Sequence, residues 1–120
     1  AKLVRPDRAV VGVVGDGCFQ MTVGELATAK RLGLAVPVIV LNDGWLGLIK
    51  VKQERKGYGY SGVYLGDPPD SPSHYFGVPC RSVRNEGELD DALSWGLALG
   101  GPSVIEVFID VAPYSQTVFD

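Results

Sequence analysis

Two apolar runs, "RAVVGVVGDG" (residues 8–17) and "VPVIVLND" (residues 36–43), each end at an aspartate beside a glycine. Runs this short and this continuously apolar fit strands buried on both faces, as in a parallel sheet. Two parallel strands cannot be joined by a tight hairpin and need a crossover between them. The intervening "TVGELATAKRLGL", residues 22–34, supplies a helix for it. Thr22 and Glu25 make a T-x-x-E capping box, Leu26, Ala29, Leu32 and Leu34 form an apolar stripe, and Gly33 stops the helix.

The rest of the chain repeats the alternation. "LGLIKVKQERK", residues 46–56, reads as a helix. Residues 57–73, "GYGYSGVYLGDPPDSPS", change composition to glycine, proline and tyrosine, with Pro68, Pro69 and Pro72 blocking regular structure, and read as a loop. The tyrosines of that loop are expected to pack on the domain's own surface. "CRSV" is a short strand, Asn85 caps a helix over residues 86–99 that closes at Gly100-Gly101, and "SVIEVFID" is the last strand. Leu89, Ala92, Leu93 and Leu97 give that helix its apolar side. The order predicts an α/β fold: a three-layer sandwich with a mainly parallel sheet and right-handed crossovers. A chain of 120 residues has room for one domain.

Charge and composition exclude several classes. The net charge is −3 with an isoelectric point near 5.0, and the stretch from Lys50 to Lys56 is interrupted by Val51, Gln53 and Glu54, so no basic run tracks a nucleic-acid backbone. No stretch of about 18 apolar residues offers a membrane span, and "AKLVRPDR" lacks a signal peptide's apolar centre. Cys18 and Cys80 are far apart and form no C-x-x-C, which fits a reduced, cytoplasmic setting. His74 is the sole histidine, so a histidine-built metal site is ruled out; beside Pro72 it reads as a surface residue.

In a parallel α/β sheet ligands sit at the carboxyl ends of the strands. Asp16 and Asp43 both stand there, 27 positions apart, with one strand–helix–strand unit between them. If those strands are neighbours, about 4.8 Å apart, the two carboxylates converge. Paired acids repel unless a proton or a cation joins them, and an all-oxygen donor set suits Mg²⁺ or Ca²⁺ rather than zinc. Asp16 would then hold a cation and the cation a phosphate, with N–H groups at Gly17, Cys18 and Phe19 aimed at the same anion. A plain strand-to-helix turn with Asp16 and Asp43 as solvated loop acids accounts equally well for the spacing. A dinucleotide turn does not: Gly12, Gly15 and Gly17 make G-x-x-G-x-G, not G-x-G-x-x-G, and an acid within the turn would repel a pyrophosphate.

The stretch "GDGCFQMTVGELATAKRLGLAVPVIVLNDGWLG" resembles the cofactor motif of thiamine-diphosphate-dependent enzymes, which opens with GDG and closes some 27 residues later with NN or ND. The resemblance continues through "HYFGVP", "GELDDAL" and "GPSVIEVFID" and is nearest to acetolactate synthases. It implies thiamine diphosphate and Mg²⁺ as cofactors. Asp16 matches the metal-binding aspartate of GDG, Asn42 the first residue of the closing pair, and Asp43 the second, a metal ligand. Trp45 matches a position that ligates through its backbone carbonyl. Gly15, Gly17 and Cys18 match the turn at the diphosphate; Leu46, Gly47 and Leu48 match the segment that passes over it toward the thiazolium. No catalytic residue is implied for this chain. Members that turn pyruvate into acetaldehyde carry a glutamate at the site matching Ile49, whereas acetolactate synthase-like members carry an aliphatic residue, so Ile49 points toward joining two carbonyl compounds; a core isoleucine on its helix is the other reading. Lys52 stands where biosynthetic acetolactate synthases carry a tryptophan.

The implied protein is a 2-keto acid decarboxylase or carboligase that binds its cofactor between two domains. Residues 1–120 match one of them, the C-terminal diphosphate-binding domain, without its N-terminal part. The pyrimidine domain, whose glutamate activates the cofactor, has no counterpart here, so the chain reads as part of a larger polypeptide or complex and as inactive alone. One sheet face is expected to lie bare where a further helix belongs. Homo-oligomers are implied for the whole enzyme. A non-catalytic remnant or assembly module of the same fold is the alternative, and an oxidative or transketolase-like member shares the motif.

Overall fold

Val, Ile and Leu dominate the first two strand runs and most of the last, and strands so apolar on both sides are best satisfied as a middle layer between helices. The computed structural model describes residues 1–66, 76–110 and 112–113. Its elements are β1 (Gly12–Gly15), α1 (Asp16–Thr22), α2 (Glu25–Arg31), β2 (Pro37–Asn42), α3 (Gly47–Arg55), β3 (Cys80–Val83), α4 (Glu86–Ala98) and β4 (Ser103–Phe108). The strands form one sheet in the order β1-β2-β4-β3, and every neighbouring pair is parallel.

Register divides the side chains between two cores. Val40 lies level with Val14 and Glu106, and Val40 and Val104 pack with Phe19 of α1, Leu26 of α2 and Val78. Ile39 lies level with Val13 and Ile105; Ile105 and Val83 pack with Ala92, Leu89, Leu93 and Trp95 of α4 on the opposite face. The expected three layers are therefore present. α4 packs on β4, β3 and β2, and Val13 on β1 is left 64% exposed on that side. An apolar groove of about 480 Å³ adjoins β1, lined in part by Leu3, Val13, Leu26, Ala29 and Leu32. One bare sheet face was expected from the sequence; instead helices pack on both faces, and the apolar surface left exposed lies along the edge strand β1.

Helix ends follow their sequence signals in two places and not in a third. Asn85 Oδ1 accepts from Glu88 N–H (3.0 Å), its Nδ2 donates to Glu88 Oε1 (2.8 Å), and Arg84 N–H donates to Glu88 Oε2 (2.7 Å). Gly33, at φ +61°, ends α2: its N–H reaches Lys30 O (3.1 Å) and Leu34 N–H reaches Ala29 O (3.0 Å), the paired bonds of a glycine-terminated helix. The helix expected over residues 22–34 is present as α2, and a further helix that the sequence reading did not expect, α1, precedes it. α1 begins at Asp16 and ends at Thr22, whose hydroxyl donates to Cys18 O within the helix (3.2 Å); α2 follows Gly24 with no side-chain cap. The capping box does not form because Thr22 already belongs to the earlier helix. The first and last strands are also shorter than their apolar runs. Pro68, Pro69, Pro72 and His74 lie outside the described residues.

Among the described residues no helix is long and apolar enough to cross a membrane.

Gly96 is where α4 comes closest to the sheet: a Cβ there would sit 2.8 Å from Ser103 Oγ and 3.2 Å from Pro37 Cβ. Gly96→Val is expected to lower unfolding stability by about 1–3 kcal/mol, the usual cost of overpacking, read from urea denaturation midpoints.

Candidate cofactor and metal site

The pairing of Gly15 with Leu41 sets the next residues, Asp16 and Asn42, side by side at the strand tips, with Asp43 one step on. Asp16 opens α1 and is only 8% exposed. A carboxylate at the first position of a helix is favoured by the helix dipole. Its Oδ1 accepts from Gly17 N–H (2.7 Å) and its Oδ2 from Gly44 N–H (3.0 Å). One side chain therefore ties the start of α1 to the turn after β2. Of the N–H groups expected to face an anion, that of Gly17 is already engaged by Asp16.

The turn itself is closely held. Gly44 takes φ +72°, a conformation that favours glycine, and its N–H is shared with Asn42 Oδ1 (2.9 Å). Asp43 Oδ1 accepts from Trp45 N–H (2.8 Å). Burial pushes the Asp43 carboxyl above the ordinary carboxylate range; the Trp45 N–H and the Lys50 charge oppose this, and the neighbouring charge of Asp16 adds to it. The two acids thus act on one another across the site.

Residues from the tyrosine-rich segment strap this turn from outside. Leu46 N–H donates to Val63 O (2.8 Å) and Leu65 N–H to Gly44 O (2.9 Å), so that Trp45 and Tyr64 form an antiparallel bridge. In that arrangement the N–H and C=O of Trp45 face away from the strap. The N–H goes to Asp43, and the carbonyl lies on the same side. The indole packs on Tyr64 (4.8 Å between centroids) and Tyr60 (5.5 Å), with Lys50 Nζ 5.0 Å from it. Lys50 also pairs with Glu54 (3.2 Å), which accepts from the Tyr60 hydroxyl. Tyr60 and Tyr64 thus pack on the domain's own surface, as expected.

A cleft of about 400 Å³ opens in front of the acids. It is lined by Gly15, Asp16, Gly17, Cys18, Asp43, Trp45, Leu46, Gly47 and Leu48, the nine residues that the resemblance assigns to cofactor or metal, together with Leu41 and Ile49; Asn42 and Phe19, also named from the sequence, do not line it. Ile49 is 46% exposed and faces this cleft, so it is not a core residue of its helix. A Cβ on Gly17 would lie 2.6 Å from Leu46 Cδ2, so a side chain there would require the tip of Leu46 to shift. Gly15 differs: its backbone is extended, and a Cβ there would meet nothing within 4 Å. Neither its conformation nor its neighbours call for glycine, which leaves room for an occupant of the cleft.

Among the described residues no group of three or more His, Cys, Asp or Glu could hold a metal. The donors at the cleft are two carboxylates plus backbone, a hard oxygen set that fits Mg²⁺. Sequence reading missed a buried extension of the site. Asn42 Nδ2 donates to Glu106 Oε1 (2.8 Å), and Glu106 Oε2 accepts from Ser82 Oγ (3.0 Å). The available signal was a glutamate inside the apolar run "SVIEVF".

The family model described as thiamine pyrophosphate enzyme, C-terminal TPP binding domain, matches residues 1–107. The chain belongs to this family. The chain is similar to the acetolactate synthase isozyme 2 large subunit of Escherichia coli, 33% identical over 117 residues, covering 92% of this chain and 21% of that protein. An acetolactate synthase of Mycobacterium avium is 36% identical over 120 residues, covering 91% and 19%. Among solved structures, a thiamine diphosphate-dependent 4-hydroxybenzoylformate decarboxylase of Rhodococcus jostii RHA1 superposes with a TM-score of 0.81 at 28% identity, over 92% of this chain and 21% of that one. The benzoylformate decarboxylase of Polynucleobacter necessarius gives 0.81 at 26%, with the same coverage. This chain thus spans about a fifth of the length of these thiamine pyrophosphate enzymes.

Because the folded state raises the Asp43 pKa, its contribution to stability is fully present below the unfolded value near 3.8 and is lost as pH rises through the folded value. Asp43→Asn keeps an oxygen for the Trp45 N–H and removes the charge. It is expected to raise the melting temperature of the metal-free protein at pH 7 and leave it unchanged near pH 3, as read by calorimetric melting at both pH values.

Proposed function

We propose that this chain is the thiamine diphosphate and Mg²⁺ binding portion of a 2-keto acid decarboxylase or carboligase of the acetolactate synthase type. The observation that carries this reading is the convergence of Asp16 and Asp43 on one cleft whose remaining lining is glycine, Cys18, Trp45 and aliphatic residues. When bound, thiamine diphosphate supplies the electron sink for carbanion chemistry. The chain's own residues hold and shield it. Asp16 and Asp43 would bind the cation through carboxylate oxygens, and Trp45 through its backbone carbonyl. Gly15, Gly17 and Cys18 would lie against the diphosphate, with Gly15 leaving room for it. Leu46, Gly47 and Leu48 would cover the group, with Leu48 and Ile49 giving an apolar wall that offers no proton.

The cleft takes only the diphosphate half of the cofactor in this reading. A pyrimidine domain from further polypeptide would complete the site, in a homo-oligomer and in a reducing, cytoplasmic setting. The length of the relatives supports this, as does the bare apolar surface along β1. By the same reading this chain alone turns over no pyruvate.

Isothermal calorimetry with thiamine diphosphate tests the proposal. Binding is expected in the presence of Mg²⁺, to vanish with a chelator, and to be lost in Asp16→Ala. Absence of binding together with stable self-association would favour a non-catalytic assembly role through the β1 surface. In the complete enzyme, Ile49→Glu would place a proton donor at the cleft. It is expected to shift products from the condensed hydroxy-keto acid toward free aldehyde, measured by NMR of the reaction mixture.

A further inference from the structure

Glu106 is 7% exposed in the middle of β4, register-paired with Val40 on β2 and Ser82 on β3. Among the described residues it has no cationic partner; its oxygens are held by Ser82 Oγ and Asn42 Nδ2. A buried acid held only by neutral donors is poor value as a stabilising device, since an apolar residue would pack there without desolvating a charge. What it does is orient an amide. Gly44 N–H can only donate, so Asn42 must turn Oδ1 toward it, and Nδ2 then needs an acceptor on the other side. Glu106 is that acceptor. Were the Asn42 amide to flip, Nδ2 would face the Gly44 N–H, donor against donor, and the bond that ties Gly44 at the centre of the turn to Asn42 would be lost, leaving that N–H only its bond to Asp16 Oδ2.

We propose that Glu106 is a positioning residue for the Asp16–Asp43 cation site, acting through the Asn42 amide to hold the Asp43–Trp45 turn. This rests on reading that site as a cation site. The line of contacts runs Ser82 Oγ, Glu106, Asn42, Gly44 N–H, Asp16, and it crosses three strands of the sheet. Trp45, next to Gly44 and caged by Tyr60 and Tyr64, reports on the turn directly.

The test uses the full 120-residue chain in a Trp95→Phe background, so that Trp45 is the remaining indole of these residues. Two quantities are read: Mg²⁺ affinity at saturating thiamine diphosphate, and Trp45 emission of the metal-free protein. Glu106→Leu is expected to weaken Mg²⁺ binding about tenfold to a hundredfold, the usual effect of losing a partner behind a metal ligand, and to alter the emission. Asn42→Asp should do the same, because two carboxylates then face each other. The double variant Asn42→Asp/Glu106→Gln reverses donor and acceptor and should recover most of both losses. Wild-type affinity and emission in Glu106→Leu would overturn the proposal, as would a double variant no better than Asn42→Asp alone. If Glu106→Leu fails to fold, the exchange pair decides. If the unsubstituted protein binds no Mg²⁺ with the cofactor, the function proposed above falls. The emission of the metal-free variants then still decides the positioning claim: a change restored by the exchange supports it, and no change overturns it.

Discussion

The carboxylate of Asp16 is the fixed point of this structure. Its two oxygens accept one N–H from α1 and one from the turn after β2, so the tips of two adjacent strands are bound to a single side chain. An ionised carboxylate offers about four acceptor positions, and two are used here. The remaining lone pairs belong to a group that is nearly buried and is stabilised by the first turn of a helix. The register of β1 against β2 makes this possible: with Gly15 level with Leu41, a shift of one residue would place Asp16 against the wrong neighbour and turn Asp43 to the other face.

Around that point the site is held from two sides by different means. Inside, the Asn42 amide connects the turn to the sheet through Glu106, a route made of buried hydrogen bonds. Outside, the strap at Val63 and Leu65 and the rings of Tyr60 and Tyr64 fix Trp45 by backbone pairing and aromatic contact. The turn has no regular ladder of its own, so both supports are needed to hold Asp43 and the Trp45 carbonyl on one side. A strand end without them would be free to move away from Asp16, because the acids repel.

The parallel sheet and its layers were legible because continuous Val, Ile and Leu runs bounded by glycine admit few other uses. Asn85 and Gly33 were legible because each signal acts within a few residues of itself. The extra helix α1 was not: the T-x-x-E pattern marks a helix start locally, whereas α1 begins at Asp16, directly where β1 ends. That the nine residues would share one cleft was readable because successive strand ends bring both acids to one edge of the sheet and the motif places their neighbours. Leu41 and Glu106 were not, since each acts through a contact set by strand register, which no local pattern encodes. Ile49 stood between a core and a cleft reading, and only the packing of α3 settles it, turning that face outward.

The site carries a built-in cost. Asp43 is driven toward its neutral form by burial and by Asp16, so the metal-free domain keeps two acids together against their repulsion. Two fully buried strand residues, Val104 and Ile105, and the cores on both faces of β4 offset that cost at a distance. A ligand that binds only the folded state adds stability in proportion to the logarithm of its saturation. A divalent cation between these acids would remove the repulsion as well as bind, so its effect on the fold would be centred on the two strand tips. Ion, turn and sheet edge would then act as one unit, with Asp16 touching all three.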